Sequence, residues 1–105
     1  MKIVRNQEVS WRESGVEGIR RGGLWNAGEN VAAELCRMAA GSEYPAHEHA
    51  AWEQMLVLEG RMDVDGTTLD AGDYAFTRPG ETHTVVAQSD VLVFLSFGQS
   101  LGDSG

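Results

Sequence analysis

The stretch Gly41-Ser42-Glu43-Tyr44-Pro45-Ala46-His47-Glu48-His49-Ala50-Ala51-Trp52-Glu53-Gln54-Met55-Leu56-Val57-Leu58-Glu59-Gly60 carries two of the three histidines of this 105-residue chain. One residue separates His47 from His49, so on an extended strand both imidazoles fall on the same face. Glu53 has the same parity and lies four residues beyond His49. The third histidine, His83, follows Thr77-Arg78-Pro79-Gly80-Glu81-Thr82. A Pro-Gly turn there leads into a new strand and sets an imidazole near its start. Three imidazoles and one carboxylate converge if these strands are neighbours.

Neutral imidazole suits Zn, Fe, Ni and Cu, and a carboxylate oxygen extends the range to harder ions such as Mn. The set fits one first-row divalent ion per chain and does not choose among them. Taken alone, the His47-Glu48-His49 pair fits exposed strand-end residues as well as metal ligands.

Outward from this stretch, short segments rich in Val, Leu, Phe and Thr lie between 13 glycines, the pattern of many short strands. In Arg61–Asp70, alternating residues flank an Asp65-Gly66 pair suited to a type I′ hairpin, and Ala71-Gly72-Asp73 makes a further turn. Other expected strands are Val31–Ala39, His47–Ala51, Gln54–Glu59, Tyr74–Thr77, His83–Ala87 and Val91–Phe97. The composition of Ala32–Ala40 also suits a helix, but its neighbours need a sheet partner. The expected fold is all-β and antiparallel, a single barrel or two-sheet jelly roll. Residues 1–28 form an N-terminal arm of short strands, 29–98 the barrel and 99–105 a flexible tail.

Composition sets the outer limits. At 105 residues, one core carries the stability, and 42% hydrophobic with 23% charged residues is ordinary for a globular chain. Sixteen acidic residues against eight basic give a net charge of −8, with no basic cluster to track a phosphate backbone, so no nucleic-acid partner is expected. No apolar run reaches membrane-spanning length and Met1–Asn6 has no secretory h-region, which sets the expectation of no membrane partner and a cytoplasmic location. Cys36 is the only cysteine, which excludes an intramolecular disulfide and a thiolate cluster within the chain. In a strand-like stretch it reads as a small buried residue rather than a catalytic thiol.

The wider frame weighs further. Gly41, five residues, His47, one residue, His49, three residues, Glu53, six residues and Gly60 match the first cupin motif throughout. From Gly72, the run Thr77-Arg78-Pro79-Gly80-Glu81-Thr82-His83 matches most of the second. The sequence therefore resembles the cupin superfamily over about residues 30–97. The resemblance implies a double-stranded β-helix, or jelly-roll barrel, with metal ligands at His47, His49, Glu53 and His83. Arg78 and Ala87 stand where the second motif usually has proline and asparagine. Neither position is a ligand. The three-residue spacing from His49 to Glu53, with Glu53-Gln54-Met55-Leu56-Val57-Leu58-Glu59-Gly60, looks like the cupin domains of zinc anti-sigma factors and of small diketone-cleaving dioxygenases.

Trp52 precedes Glu53 and points to the opposite strand face, where it packs on a second sheet or a partner chain in preference to stacking on substrate. Met38, Met55 and Phe76 are candidates for an apolar wall around the site, although a barrel core needs such residues in any case. Arg37 and Arg78 are either anchors for a substrate carboxylate or surface ion pairs, and Tyr44 and Tyr74 are candidate proton donors. A site of this type supports an iron(II) dioxygenase-like enzyme acting on a small oxygenated organic molecule. Its alternatives are a redox-neutral lyase, isomerase or decarboxylase using Zn, Ni or Mn, and a non-catalytic ligand sensor. Residues 1–28 are too few for the additional N-terminal zinc domain of an anti-sigma factor, which weighs against the regulatory version. Open sheet edges and an apolar arm with Trp11 and Trp25 set the expectation of a homodimer.

Overall fold

A computed structural model describes residues 1–28 and 31–98, and of His47 the backbone alone. The expected tail at 99–105 lies outside the described residues. Ten strands follow a single 3-10 turn at Asn6–Glu8: β1 Trp11–Glu13, β2 Ile19–Asn26, β3 Ala32–Met38, β4 Glu43–Glu48, β5 Trp52–Glu59, β6 Arg61–Val64, β7 Thr67–Asp70, β8 Tyr74–Thr77, β9 Thr82–Ala87 and β10 Val91–Gly98. They build two antiparallel sheets, one in the order β1-β2-β3-β10-β5-β8 and one in the order β4-β9-β6-β7. The ladders do not close into one ring, and the two-sheet jelly roll is the version of the expected fold that forms.

Period-2 alternation decides which side chains meet between the sheets. Along β5, Glu53, Met55 and Val57 are buried, and along β10 so are Val91, Val93 and Leu95. Antiparallel register lines these up in rows: Leu95 lies between Glu34 and Met55, Val93 between Cys36 and Val57, and Phe97 between Ala32 and Glu53. From the smaller sheet Met62, Val85 and Ala87 join the same core. Ile19, Val57 and Met62 are fully enclosed, each worth about 1.5–3 kcal/mol of burial. Ala32–Met38 is a strand because both its edges are paired, with β2 and with β10, and that sheet pairing overrides its helix-forming composition.

Turn chemistry fixes the connections. Asp65 and Gly66 both have positive φ, 48° and 91°, and Val64 pairs with Thr67, so the two-residue type I′ hairpin read from the sequence forms. Between β5 and β6, Gly60 sits at φ 87°, and a Cβ there would run into the backbone carbonyl of Asp90. Gly60→Ala should therefore lower stability by about 2 kcal/mol or more, seen as a reduced urea midpoint with an unchanged m-value.

One strand differs from expectation by more than two residues at its ends. The strand expected over His47–Ala51 runs instead over Glu43–Glu48, and His49–Ala51 form the connection to β5. Proline cannot donate to a ladder, yet Pro45 is accommodated because β4 is a sheet edge and its pairing with β9 shifts register between Tyr44 and His47. Residues 1–28 hold β1 and β2, which extend the larger sheet through β3.

Candidate metal centre

Three of the four sequence-derived ligands meet at one end of the space between the sheets. Glu53 comes from β5, with Phe97 and Thr77 as its neighbours across the ladder. His83 comes from β9, and the backbone of His47 in β4 lies opposite it in register. The side chain of His47 lies outside the described residues. Glu53 Oε1 is 3.3 Å from His49 Nε2 and 3.4 Å from His83 Nε2. The two imidazole centroids lie 4.7 Å apart, with the rings tilted 32° to each other. His49 and Glu53 are only 8% and 6% exposed, so these polar groups are gathered away from solvent.

His49 is not on a strand, and its position is set by the Pro79-Gly80 turn. Gly80 N–H donates to the His49 carbonyl at 2.8 Å, and His49 N–H donates to the Glu81 carbonyl. On the ring, Nδ1 lies 3.2 Å from the same Glu81 oxygen. A carbonyl only accepts, so Nδ1 carries a proton, and the tautomer this selects for a neutral imidazole has its lone pair on Nε2. This is the arrangement in which a backbone carbonyl fixes the tautomer and angle of a metal-binding histidine. The two sequence motifs thus meet directly, the turn of the second orienting a histidine of the first.

The residues fit a divalent ion. Both ring nitrogens of His83 are buried and neither makes a hydrogen bond among the described residues, a cost that folded proteins seldom leave uncompensated. One donor atom from each of His49, Glu53 and His83 lies within 4.8 Å of the others. The 3.3 and 3.4 Å separations match donors sharing one ion, since a tetrahedron with arms of about 2.1 Å has edges of about 3.4 Å.

A cavity of about 80 Å³ opens onto this cluster. Met38 and Met55 line it as expected, together with Met62, Val85, Val93, Leu95 and Phe97. Phe76 does not: β8 turns it outward, where it is exposed and stacks on Trp52 at 6.2 Å. Trp52 lies on the strand face opposite Glu53, as alternation requires, and its indole covers Gly98. Arg78 sits over the Phe76 ring and Arg37 over the Trp11 ring, so neither reaches the cavity. Tyr44 lines the cavity, whereas Tyr74 is exposed and donates its hydroxyl to Gln54.

The arginine that does line the cavity is Arg21, which the sequence reading passed over. Its Nε donates to Glu34 at 2.8 Å, and Arg12 donates to the other oxygen of that carboxylate at 2.9 Å. Burial alone would raise the Glu34 carboxyl, but the hydrogen bonds from Arg21 and Arg12 hold it below its usual range. Burial likewise works against the Arg21 charge, and the pairing with Glu34 more than restores it. The available signal was parity: on one strand Arg21 shares a face with Ile19, an obvious core residue.

Cys36 also lines the cavity, and burial pushes its thiol up to about 11, with the Arg21 charge opposing. Since the pKa is raised, thiolate is scarce throughout the neutral range, roughly 0.1% at pH 8 against about a quarter for an ordinary thiol. Native protein should alkylate with iodoacetamide more than about 100-fold slower than urea-unfolded protein, read by mass spectrometry.

Comparison with known proteins identifies the family. The model of the ChrR cupin-like domain family matches residues 1–101. The chain belongs to that family. Among solved structures, this ChrR-type cupin is similar to a chain in the crystal structure of Rhodobacter sphaeroides SigE in complex with the anti-sigma ChrR, at 30% identity and TM-score 0.77, over 90% of this chain and 51% of that one. It shares the fold of an acetylacetone dioxygenase from Acinetobacter johnsonii at 20% identity and TM-score 0.76, over 92% of this chain and 72% of that one. The DNA damage-repair/toleration protein DRT102 of Arabidopsis thaliana is 31% identical over 75 residues, 66% of this chain and 24% of that protein. This chain thus spans about a quarter of the plant relative and about half of the anti-sigma structure's chain. Among the described residues, no helix is long and apolar enough to cross a membrane.

Proposed function

We propose that this ChrR-type cupin is a metal-dependent enzyme of the iron(II) dioxygenase type, acting on a small oxygenated organic molecule. His47, His49, Glu53 and His83 are its proposed ligands to one divalent ion. The observation that carries this reading is the buried His49–Glu53–His83 cluster facing an apolar cavity of about 80 Å³, room for a ligand of only a few heavy atoms. The chemistry a bound iron(II) ion supplies is activation of O2 beside a chelating substrate, while Zn, Ni or Mn supplies Lewis acidity toward a carbonyl oxygen.

The chain's own residues hold and isolate the reacting molecule. Met38, Met55, Val93 and Leu95 give the cavity an apolar wall, beside which charge interactions are stronger than in bulk water. Tyr44 sets a phenolic proton at the cavity wall, with Arg21 Nη1 3.4 Å from its oxygen.

Protein purified without oxygen or added metal, then loaded with iron(II) or with zinc, tests the reading against small β-diketones and related enolisable carbonyls. Oxygen uptake is expected with iron and not with zinc. Turnover without O2 would move the assignment to a redox-neutral lyase or isomerase. Ligand binding with no turnover would favour a sensor module, the reading that the likeness to the anti-sigma structure supports. A second copy of the chain is the proposed partner, suggested by Ile3 and Trp25, which stand exposed on the N-terminal segment. Light scattering showing a monomer at micromolar concentration would contradict it.

A further inference from the structure

We infer that Arg21 is an anion anchor at the cavity wall, and that the molecule this site takes is a compact organic carboxylate whose other end carries an oxygen directed at the His49–Glu53–His83 cluster. The inference rests on reading the cavity as the substrate site. It names the substrate's charge, which that reading leaves open.

Hydrogen-bond capacity comes first. A guanidinium has five N–H groups. In Arg21, Nε is used on Glu34 and one Nη1 hydrogen on Tyr44, which leaves three N–H groups without a partner among the described residues. The side chain is only 16% exposed, and Arg21 lines the cavity. The paired fork of a guanidinium matches the two oxygens of a carboxylate, so these N–H groups can receive one that enters the cavity.

Charge points the same way. Glu34 is shared by two guanidinium groups, Arg12 and Arg21, so this trio carries a net positive charge in a chain whose overall charge is −8. Arg12 lies on the exposed side of the trio and Arg21 on the cavity side. Glu34 therefore aligns Arg21, and the trio keeps one positive charge after the pairing.

Position completes the case. The Arg21 Cζ stands 5.6 Å from the Phe97 ring and 5.8 Å from the Tyr44 ring. Phe97 is the cross-strand neighbour of Glu53, so the guanidinium and the His–Glu–His cluster lie along one wall, with an aromatic ring between them. In a cavity of about 80 Å³, a ligand reaching from one to the other is short. Arginine remains charged at any pH at which the protein is folded, so the anchor does not titrate away.

The test uses pyruvate and its neutral isostere pyruvamide, titrated by calorimetry into the full chain both metal-free and zinc-loaded, with zinc content measured separately. Wild type should prefer pyruvate by about tenfold or more, the worth of a charge-assisted contact. Arg21→Gln should abolish that preference, and Arg21→Lys should keep part of it. In wild type, the Arg21 Nε–H resonance should shift on adding pyruvate and stay in place with pyruvamide. Equal affinities in wild type, binding of neither compound, an undiminished preference in folded Arg21→Gln, or a static Arg21 resonance would each overturn the inference. If Arg21→Gln does not fold, the wild-type resonance decides. A pyruvate preference in a chain that takes up no zinc keeps the anchor and removes the metal-enzyme reading. Zinc uptake without any preference does the reverse.

Discussion

Chelation should lower the melting temperature of the metal-loaded protein by about 10–20 °C. An ion that binds only the native state adds RT ln(1 + [L]/Kd), about 2.7 kcal/mol at a hundredfold excess over Kd. In a domain of this size each kcal/mol moves the midpoint by about 4–8 °C. The native state is where the donors are assembled: His49 comes from a loop, Glu53 from β5 and His83 from β9, and the unfolded chain does not bring them together. Removal of the ion also leaves His83 with two buried nitrogens that have no hydrogen-bond partner among the described residues, which adds to the loss. Calorimetry with and without EDTA measures the shift, and an unchanged midpoint would mean that no ion of consequence binds.

His83→Ala should abolish turnover and weaken metal affinity by more than about 100-fold, beyond what changes at supporting residues cost. It should nevertheless leave a folded jelly roll. His83 lies near the start of β9, whereas the residues of that strand that join the core, Val85 and Ala87, come later and keep their contacts. In EDTA, the variant should therefore melt close to metal-free wild type. The separation is the informative part: a fold defect lowers both midpoints, whereas a site defect removes only the gain from metal. Circular dichroism and metal titration on the same samples distinguish the two.

The His49–Glu53–His83 cluster was legible in the sequence to the extent that its pattern is local. An H-x-H pair, a carboxylate four residues on and a histidine after a Pro-Gly turn are patterns in the chain itself, and His49, Glu53 and His83 do meet. The hairpin at Asp65-Gly66 was legible for the same reason, since a type I′ turn depends on two adjacent residues.

What was not legible depends on which face of a strand turns inward. The positions of His49 and Glu53 were read as one strand's parity, yet His49 lies in a connection and is aligned by the Glu81 carbonyl, a contact spanning 32 residues. Phe76 seemed a natural wall for the cavity, but β8 is the edge of the larger sheet and its inward positions fall on Ala75 and Thr77. Arg37 and Arg78 are the anchors the sequence offers for a substrate carboxylate, and neither lines the cavity. Arg21 is not among them, because an N-terminal arm gives no sign in sequence that β2 will pair with β3 and carry an arginine to the cavity. Side-chain identity announces chemistry, and sheet order decides where it is used.

The proposed site holds one ion through His47, His49, Glu53 and His83. Its most direct test is an equilibrium titration of metal-free protein with zinc, comparing wild type with Glu53→Gln and His83→Ala by elemental analysis after gel filtration. The expected result is one ion retained per wild-type chain and none in either variant. Wild type that emerges without metal, or variants that retain it as well as wild type does, would contradict it.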